Sequence, residues 1–185
     1  LVQDMIDGIR LYHCHPYRRV SRDRPVIWQA GSTVVLDGAP AAPATAPTVL
    51  LVPSLVNRAY VLDLMPGRSL VDFLAECGIR PLVLDWQAPG EQERGFDVAD
   101  YVTERICPAI EIVAEKYPAS PLHLAGYCMG GTFAVAAALR QQEKIRSFIA
   151  IASPWDFHAE IGGQAKILLS QREMWANILG GFGEL

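Results

Sequence analysis

Cys128 is the residue whose surroundings most clearly indicate chemistry. It stands in the stretch HLAGYCMGGTF (residues 123–133), between Gly126 and Gly130. Small residues two positions before and two positions after a nucleophile are typical of a nucleophile elbow, a sharp turn from a strand into a helix that more often carries serine. The turn strains the backbone, and larger flanking residues would clash. The pattern therefore predicts a catalytic cysteine supported by Gly126 and Gly130.

The same turn predicts how an acyl group would be held. The dipole of the following helix and its unpaired backbone N–H groups favour the thiolate form of a cysteine. The N–H of Met129 would face an oxygen bound beside the sulfur, as one donor of an oxyanion hole. The second donor is expected from the loop PSLVNRAY (residues 53–60), with Leu55 or Val56 as the candidate. The alternative is that Cys128 is a small buried hydrophobic residue at a turn.

Strands that alternate with helices are expected to position this turn. Continuous apolar runs predict buried strands at residues 48–53, 81–86, 121–126 and 145–153. Helical periodicity predicts helices that begin at Pro66 and Gly67, span residues 96–116 with a kink or restart at Pro108, and follow Cys128. Such alternation is typical of a parallel sheet with right-handed crossovers.

The two ends of the chain depart from this alternation. Residues 1–19 predict an amphipathic helix that ends before Pro16 and packs against the rest of the protein. A hairpin is expected after Pro25, and GAPAAPATAP (residues 38–47) is expected to be a loop rather than a domain boundary. Residues 156–185 predict a further helix and no further strand.

Composition excludes several classes of protein. Hydrophobic residues make up 51% of the chain and charged residues 19%, which indicates a folded protein with a substantial core. The net charge of −4 gives no electrostatic reason to expect nucleic-acid binding. No apolar run reaches the roughly 18 residues of a membrane span, and no signal peptide is apparent. Because the cysteines are scattered without paired spacing, we expect neither disulfides nor a metal site, and we expect a cytoplasmic location.

Several longer blocks resemble one family. VPSLVNRAYVLDLMPGRSLVDFLAECGIRPLVLDWQAPG, VADYV, HLAGYCMGGTF and IASPWDF are similar to the corresponding parts of polyhydroxyalkanoate synthases, especially the class III catalytic subunit, over about residues 49–157. The resemblance implies an α/β fold of the α/β-hydrolase type, a mostly parallel sheet with helices on both faces. It further implies that residues 1–157 form the first part of the core, with the N-terminal helix and hairpin, and that residues 158–185 begin the cap. Later strands and most of the cap would then be missing.

The resemblance also implies an activity. In this family the elbow cysteine, here Cys128, carries the growing polyester as a thioester and accepts 3-hydroxyacyl groups from coenzyme A. A thiolate suits this task because it exchanges acyl groups with a thioester at little cost in free energy. The coenzyme A thioester would be the substrate, and no cofactor is expected. Implied partners are the polyester chain, a homodimer or second synthase subunit, and the surface of a polyester granule.

The remaining candidates are weaker. The family's catalytic histidine and aspartate follow the cap and have no counterparts here, so we expect His13, His15 and His123 to be surface or core residues. Asp156 with His158 is a possible acid–base pair, but in the family this aspartate begins the cap. The resemblance implies an architectural role for Asp85 and Trp86. Asn57 and Arg58 are expected to hold the oxyanion loop by hydrogen bonding, with a plain turn as the alternative.

Two other functions remain open from the sequence. GYCMGG also resembles the elbow of dienelactone hydrolases, in which water completes the reaction. Alternatively, a chain with only the first half of the sheet could be a non-catalytic fragment that binds a granule or another subunit.

Overall fold

A six-stranded sheet forms the centre of the molecule. The computed structural model describes residues 2–18, 22–156, 167, 169–174 and 176–177. The strands of the sheet are β1 (Val26–Ala30), β2 (Thr33–Asp37), β3 (Thr48–Val52), β6 (Arg80–Asp85), β7 (Leu122–Tyr127) and β8 (Ser147–Ile151), and the short strands β4 (Asp63–Met65) and β5 (Arg68–Ser69) form a separate hairpin. The sheet has the order β1-β2-β6-β3-β7-β8, in which β1, β2 and β6 pair antiparallel while β6, β3, β7 and β8 run parallel. The predicted α/β class, the parallel sheet and the hairpin are confirmed.

Five α-helices accompany the strands in the described part of residues 2–156. They are α1 (Val2–Cys14), α2 (Leu70–Glu76), α3 (Val98–Tyr101), α4 (Cys107–Lys116) and α5 (Met129–Arg140). A π-helical segment, Val102–Ile106, joins α3 to α4. Proline lacks an N–H and clashes with the carbonyl four residues earlier, and the wider π segment ends two residues before Pro108 and includes the residue four positions before it, Glu104. The predicted long helix therefore continues through its proline by local widening.

The start of α2 differs from the prediction. Pro66 and Gly67 form the turn between β4 and β5, and Gly67 has a φ of 75°. The helix begins at Leu70, where the hydroxyl of Ser69 accepts a hydrogen bond from the Asp72 N–H at 3.0 Å. Serine is a preferred N-cap, so the capping side chain decides where the helix begins.

The core lies on both faces of the sheet because the central strand β3 is buried on both. Alternate residues of β3 face opposite sides: Leu50 and Val52 join the larger cluster, and Val49 and Leu51 join the smaller. The larger cluster is covered by the α3–α4 helix and α5, and the smaller by α2. The sheet is therefore covered by helices on both faces at its centre.

A buried ion pair closes the amino-terminal edge of the parallel strands. Arg80 donates to the carboxylate of Asp37 at 3.1 Å, and the hydroxyl of Tyr117 donates to the same oxygen at 3.1 Å. The guanidinium also donates to the carbonyls of Ala39, Ala42 and Pro43. The Pro/Ala-rich segment is thus a loop, as predicted, and Arg80 fixes its path by hydrogen bonds to three of its carbonyls.

A second buried ion pair joins the β1–β2 turn to the α3–α4 helix. Glu93 accepts hydrogen bonds from Arg105 at 2.8 Å and from the N–H groups of Ser32 and Gly90 at 3.0 Å each. Burial alone would raise the pKa of Glu93, but these hydrogen bonds outweigh it and lower the pKa to about 2. The carboxylate is therefore charged at neutral pH and anchors the turn.

The ends of the described structure are open. No residue of α1 is buried, although the sequence predicted that this helix packs against the rest of the protein. The strand β8 pairs with β7, and both of its faces are largely exposed. The predicted cap at residues 158–185 lies mostly outside the described residues, of which residues 167, 169–170, 172–174 and 176–177 are helical. In the part of the chain that the structure describes, no helix is both long and apolar enough to cross a membrane.

Candidate active site

The candidate site lies at one edge of the sheet. The strands β3, β6, β7 and β8 are parallel, so their carboxyl ends meet at this edge. Leu55 follows β3, Asp85 ends β6, Cys128 follows β7 and Ser153 follows β8. In open α/β sheets, ligands bind beyond the carboxyl ends of the strands. The topology therefore brings the candidates from the sequence to the edge where binding is expected.

Cys128 occupies a tight turn between β7 and α5. Its φ of 54° and ψ of −130° lie outside the regions that residues with side chains prefer, and it is the N-cap of α5. Its N–H donates to the carbonyl of Ile151 on β8 at 2.9 Å, and its side chain is half-buried. Residues are kept in such conformations only when the surrounding structure holds them there. The geometry is that of a nucleophile elbow at a half-buried cysteine.

The glycines around Cys128 are required by close backbone contacts. A Cβ added to Gly126 would lie 2.3 Å from the Cα of Gly131, and one added to Gly130 would lie 2.2 Å from the carbonyl oxygen of Pro53. Because these neighbours are backbone atoms, no rotamer change could relieve the overlap. Both glycines therefore allow β7, α5 and the end of β3 to approach one another.

The structure distinguishes between the two candidates for a second oxyanion donor. The N–H of Val56 donates to the hydroxyl of Ser54 at 3.3 Å, so it already has an acceptor. No carbonyl or side chain of the described residues accepts from the N–H of Leu55 or of Met129. Leu55 packs against the larger core cluster, whereas Val56 is exposed. Of the two candidate N–H groups, only that of Leu55 therefore has no acceptor among the described residues.

Trp86 holds the end of β3 beside the elbow. Its indole N–H donates to the carbonyl of Pro53 at 3.1 Å, the same oxygen that Gly130 approaches. The indole is buried against the ring of Tyr101, edge to face, with ring centroids 5.5 Å apart. Trp86 thus links the β6 end to the loop that carries Leu55.

The other residues named from the sequence make fewer contacts here. The side chain of Asp85 accepts hydrogen bonds from the N–H and the side-chain amide of Gln87. Asn57 and Arg58 are exposed, and neither side chain donates a hydrogen bond to another described residue. Asp156 is exposed, and His158 lies outside the described residues.

A cleft of about 400 Å³ opens beside Arg58. Its charged lining comprises three arginines and three aspartates, and Arg22 and Arg24 form ion pairs with Asp63 and Asp72. The charges in the lining balance, so the cleft has no net attraction for an anion.

The histidine of β7, His123, is too far along the strand to take a proton from Cys128. His123 lies five residues earlier on this strand, or roughly 16 Å at about 3.3 Å per residue. Its Nδ1 atom lies 2.8 Å from the hydroxyl of Ser147 on β8. His13 lies in the last turn of α1, and His15 accepts a hydrogen bond from the N–H of Tyr17.

The sequence did not indicate three further residues of the elbow. Gly131, Thr132 and Ser153 all contact the turn or the chain that leaves β8. The second glycine of the GG pair and the Ser-Pro pair after β8 were the available signals. Neither signal shows that the two segments touch, because about 20 residues separate them in the sequence.

Comparison with known proteins agrees with this geometry. The family model described as "alpha/beta hydrolase fold" matches residues 47–177, which is more than half of the chain. The chain belongs to the α/β-hydrolase fold family. The predicted fold is therefore confirmed.

Within this family the chain is similar to polyester polymerases. It is 39% identical over 99 residues to a "Poly(3-hydroxyalkanoate) polymerase subunit PhaC" of Haloferax mediterranei, covering 54% of this chain and 20% of that protein. It is 33% identical over 109 residues to a protein of the same name from Synechocystis, covering 59% of this chain and 29% of that protein. The chain thus spans less than a third of either relative. The resemblance noted in the sequence is confirmed.

Solved structures show the same fold. A dienelactone hydrolase from Anabaena variabilis matches with a TM-score of 0.53 and 16% identity, covering 75% of this chain and 65% of that chain. At this level of identity the likeness concerns the fold, so it does not separate transfer to a hydroxyl from hydrolysis.

Proposed function

We propose that this chain supplies the nucleophile of a polyhydroxyalkanoate synthase-like acyltransferase, with Cys128 as the residue that carries the acyl group. The supporting observation is the strained cysteine at the N-cap of α5, beside the end of β3. The similarity to poly(3-hydroxyalkanoate) polymerase subunits supports the choice of reaction.

The first step is transfer of an acyl group to the protein. The thiolate of Cys128 attacks the carbonyl carbon of a 3-hydroxyacyl-CoA, and the carbonyl oxygen becomes an oxyanion. The N–H groups of Met129 and Leu55 donate hydrogen bonds to this oxyanion. When the intermediate collapses, the carbon–sulfur bond to coenzyme A breaks. Coenzyme A leaves as its thiolate and takes up a proton.

The second step extends the chain. A hydroxyl oxygen of one 3-hydroxyacyl group attacks the thioester carbonyl of another, an ester bond forms, and the released thiolate can accept the next substrate. A general base must remove the hydroxyl proton, and a histidine is the usual choice. Because His123 lies along β7 and far from the elbow, we infer that the base comes from outside the described residues.

Release of coenzyme A tests this proposal. With 3-hydroxybutyryl-CoA, the full-length protein should release coenzyme A, and Cys128→Ala should reduce the rate at least 10²-fold because the acyl acceptor is gone. Cys77→Ala is the matched control, since Cys77 is an exposed cysteine at the end of α2, and it should retain the original rate. Equal rates for the Cys128→Ala variant and the unaltered protein would refute the proposal.

Product analysis separates transfer from hydrolysis. A synthase yields polyester or protein-bound oligomers, whereas a hydrolase of the dienelactone hydrolase type yields free 3-hydroxybutyrate. Free acid as the sole product would favour the hydrolase.

A non-catalytic role is the second candidate. It is supported by the placement of the described histidines. His123 lies five residues before Cys128 and pairs with Ser147, and His15 pairs with Tyr17, so neither hydrogen-bonds to a residue of the elbow. A thiol-directed acyl-CoA analogue that labels Cys128 would count against this role.

We also propose partners and a location from the same similarity. The relatives are named as polymerase subunits, which favours assembly with a second subunit or as a homodimer, at the surface of a polyester granule. Co-sedimentation of the full-length protein with isolated granules would test the location.

A further inference from the structure

The chain that leaves β8 is fastened to the first turn of α5. The hydroxyl of Thr132 donates to the carbonyl of Pro154 at 2.7 Å. One turn earlier, the N–H of Cys128 donates to the carbonyl of Ile151 at 2.9 Å. Residues 151–154 are therefore held at one end by Cys128, the N-cap of α5, and at the other by Thr132, four positions later.

Close packing fills the space between these two hydrogen bonds. A Cβ on Gly131 would lie 1.7 Å from the hydroxyl oxygen of Ser153, and that hydroxyl lies 3.4 Å from the carbonyl oxygen of Gly126. Ala152 has a φ of 48°, a conformation that residues with side chains rarely adopt. The backbone is thus strained at Ala152, and the contacts on either side must hold it in place.

The hydrogen bond of Thr132 is not the default for its position. A threonine within a helix commonly donates to the carbonyl four residues earlier in the same helix. Thr103 does so, donating to Ala99 at 2.9 Å. Thr132 instead donates to Pro154, in the segment that follows β8.

We propose that Thr132 is a positioning residue for Cys128. Its hydroxyl keeps Ala152–Pro154 seated on α5, and this seating preserves the hydrogen bond from Cys128 to Ile151 and the backbone conformation that presents the sulfur beside the Met129 N–H. The inference rests on the proposed function for its role in acyl transfer. The seating itself affects any reaction of the thiol.

Alkylation by iodoacetamide tests the seating without any acyl substrate. The rate at each cysteine of the full-length protein is measured by peptide mass. Thr132→Val should lower the rate at Cys128 about five- to tenfold, the factor expected for loss of one hydrogen bond. Thr132→Ser keeps the hydroxyl and should stay within twofold of the unaltered protein. Thr103→Val, which removes a comparable hydroxyl on the α3–α4 helix, should leave the rate unchanged.

Two other cysteines report on the fold in the same samples. Cys77 is exposed and Cys107 is buried. If Thr132 acts on the elbow alone, the rate at Cys77 stays constant and Cys107 stays unlabelled. Thr132→Ala is the second hydroxyl-free variant, and it should behave as Thr132→Val does. If both variants expose Cys107 to labelling, the hydroxyl serves the whole fold and the positioning role is overturned.

The remaining outcomes are equally decisive. The proposal is overturned if Thr132→Ala reacts as fast as the unaltered protein, or if Thr132→Ser is as slow as Thr132→Ala. In the coenzyme A release assay, Thr132→Val should lower kcat by the same five- to tenfold and change KM less than twofold. If the labelling results hold but the unaltered protein releases no coenzyme A, the positioning role stands and the proposed function fails.

Discussion

Substitution of Gly130 by alanine should destabilise the protein strongly. The added Cβ would lie 2.2 Å from the carbonyl oxygen of Pro53 and 2.4 Å from that of Val52. Real Cβ atoms essentially never come closer than 3.0 Å to such neighbours, so at least about 0.8 Å of movement is needed. The atoms that must move belong to the end of β3, which is buried on both faces and paired to β6 and β7.

The expected cost follows from this lack of freedom. Overpacking a well-packed site costs about 1–3 kcal/mol, and the backbone neighbours place Gly130→Ala at or above the upper end, about 3 kcal/mol. For a domain of this size that cost corresponds to a fall in Tm of roughly 6–12 °C. The loop that carries Leu55, the proposed oxyanion donor, follows β3 directly, so coenzyme A release should fall as well.

Thermal and urea unfolding, followed by circular dichroism, provide the measurement. Gly95→Ala is the matched control, because no heavy atom lies within 4 Å of the Cβ it would add. Its free energy of unfolding should stay within about 0.5 kcal/mol of the unaltered protein. Identical unfolding midpoints for Gly130→Ala and Gly95→Ala would refute the steric argument for the elbow.

Two further predictions concern the contacts that surround the site. Because the pKa of Glu93 is lowered to about 2, the stability that its charge contributes is present above its unfolded pKa near 4.5 and is lost as pH falls from 4.5 towards 2. Urea unfolding over this pH range should show a loss of up to about 3 kcal/mol in the free energy of unfolding. A Glu93→Gln variant with the same acid dependence would contradict this. Trp86→Phe keeps an aromatic ring, although a smaller one, and removes the N–H donor to Pro53, so it should cost about 1–3 kcal/mol and slow coenzyme A release. Trp28→Phe makes the same change of ring size at a half-buried residue of β1 and is the control. An equal effect of the two substitutions on the free energy of unfolding would show that ring size rather than the hydrogen bond matters.

The sequence predicted the sheet well because each strand carries its own signal. The strand β3 is an unbroken apolar run, as expected where both faces are buried, and the glycines around Cys128 mark a turn whose sterics are local. The helix start at Leu70 was missed because Pro66 and Gly67 suit a hairpin turn as well as a helix start. In that case the N-cap Ser69 was the better signal.

The parts of the site that the sequence left open depend on contacts between distant segments. Leu55 and Val56 are equivalent in the sequence, and the hydroxyl of Ser54 separates them by accepting from one N–H. The bond from Trp86 to Pro53 spans 33 residues, and the bond from Thr132 to Pro154 spans 22. No periodicity or motif encodes such pairs, because each depends on how parallel strands place their ends side by side.

The packing around Cys128 bears on how the site could be re-engineered. The atoms nearest to a Cβ added at Gly126, Gly130 or Gly131 are backbone atoms and the side chain of Ser153, whereas Cys128 already carries a side chain and is half-buried. Exchange of sulfur for oxygen or selenium should therefore alter reactivity while leaving the scaffold intact. A methyl group added to a neighbouring glycine should instead disrupt the scaffold, because it would overlap backbone atoms. The nucleophile is therefore the position of this turn at which a substitution is best tolerated.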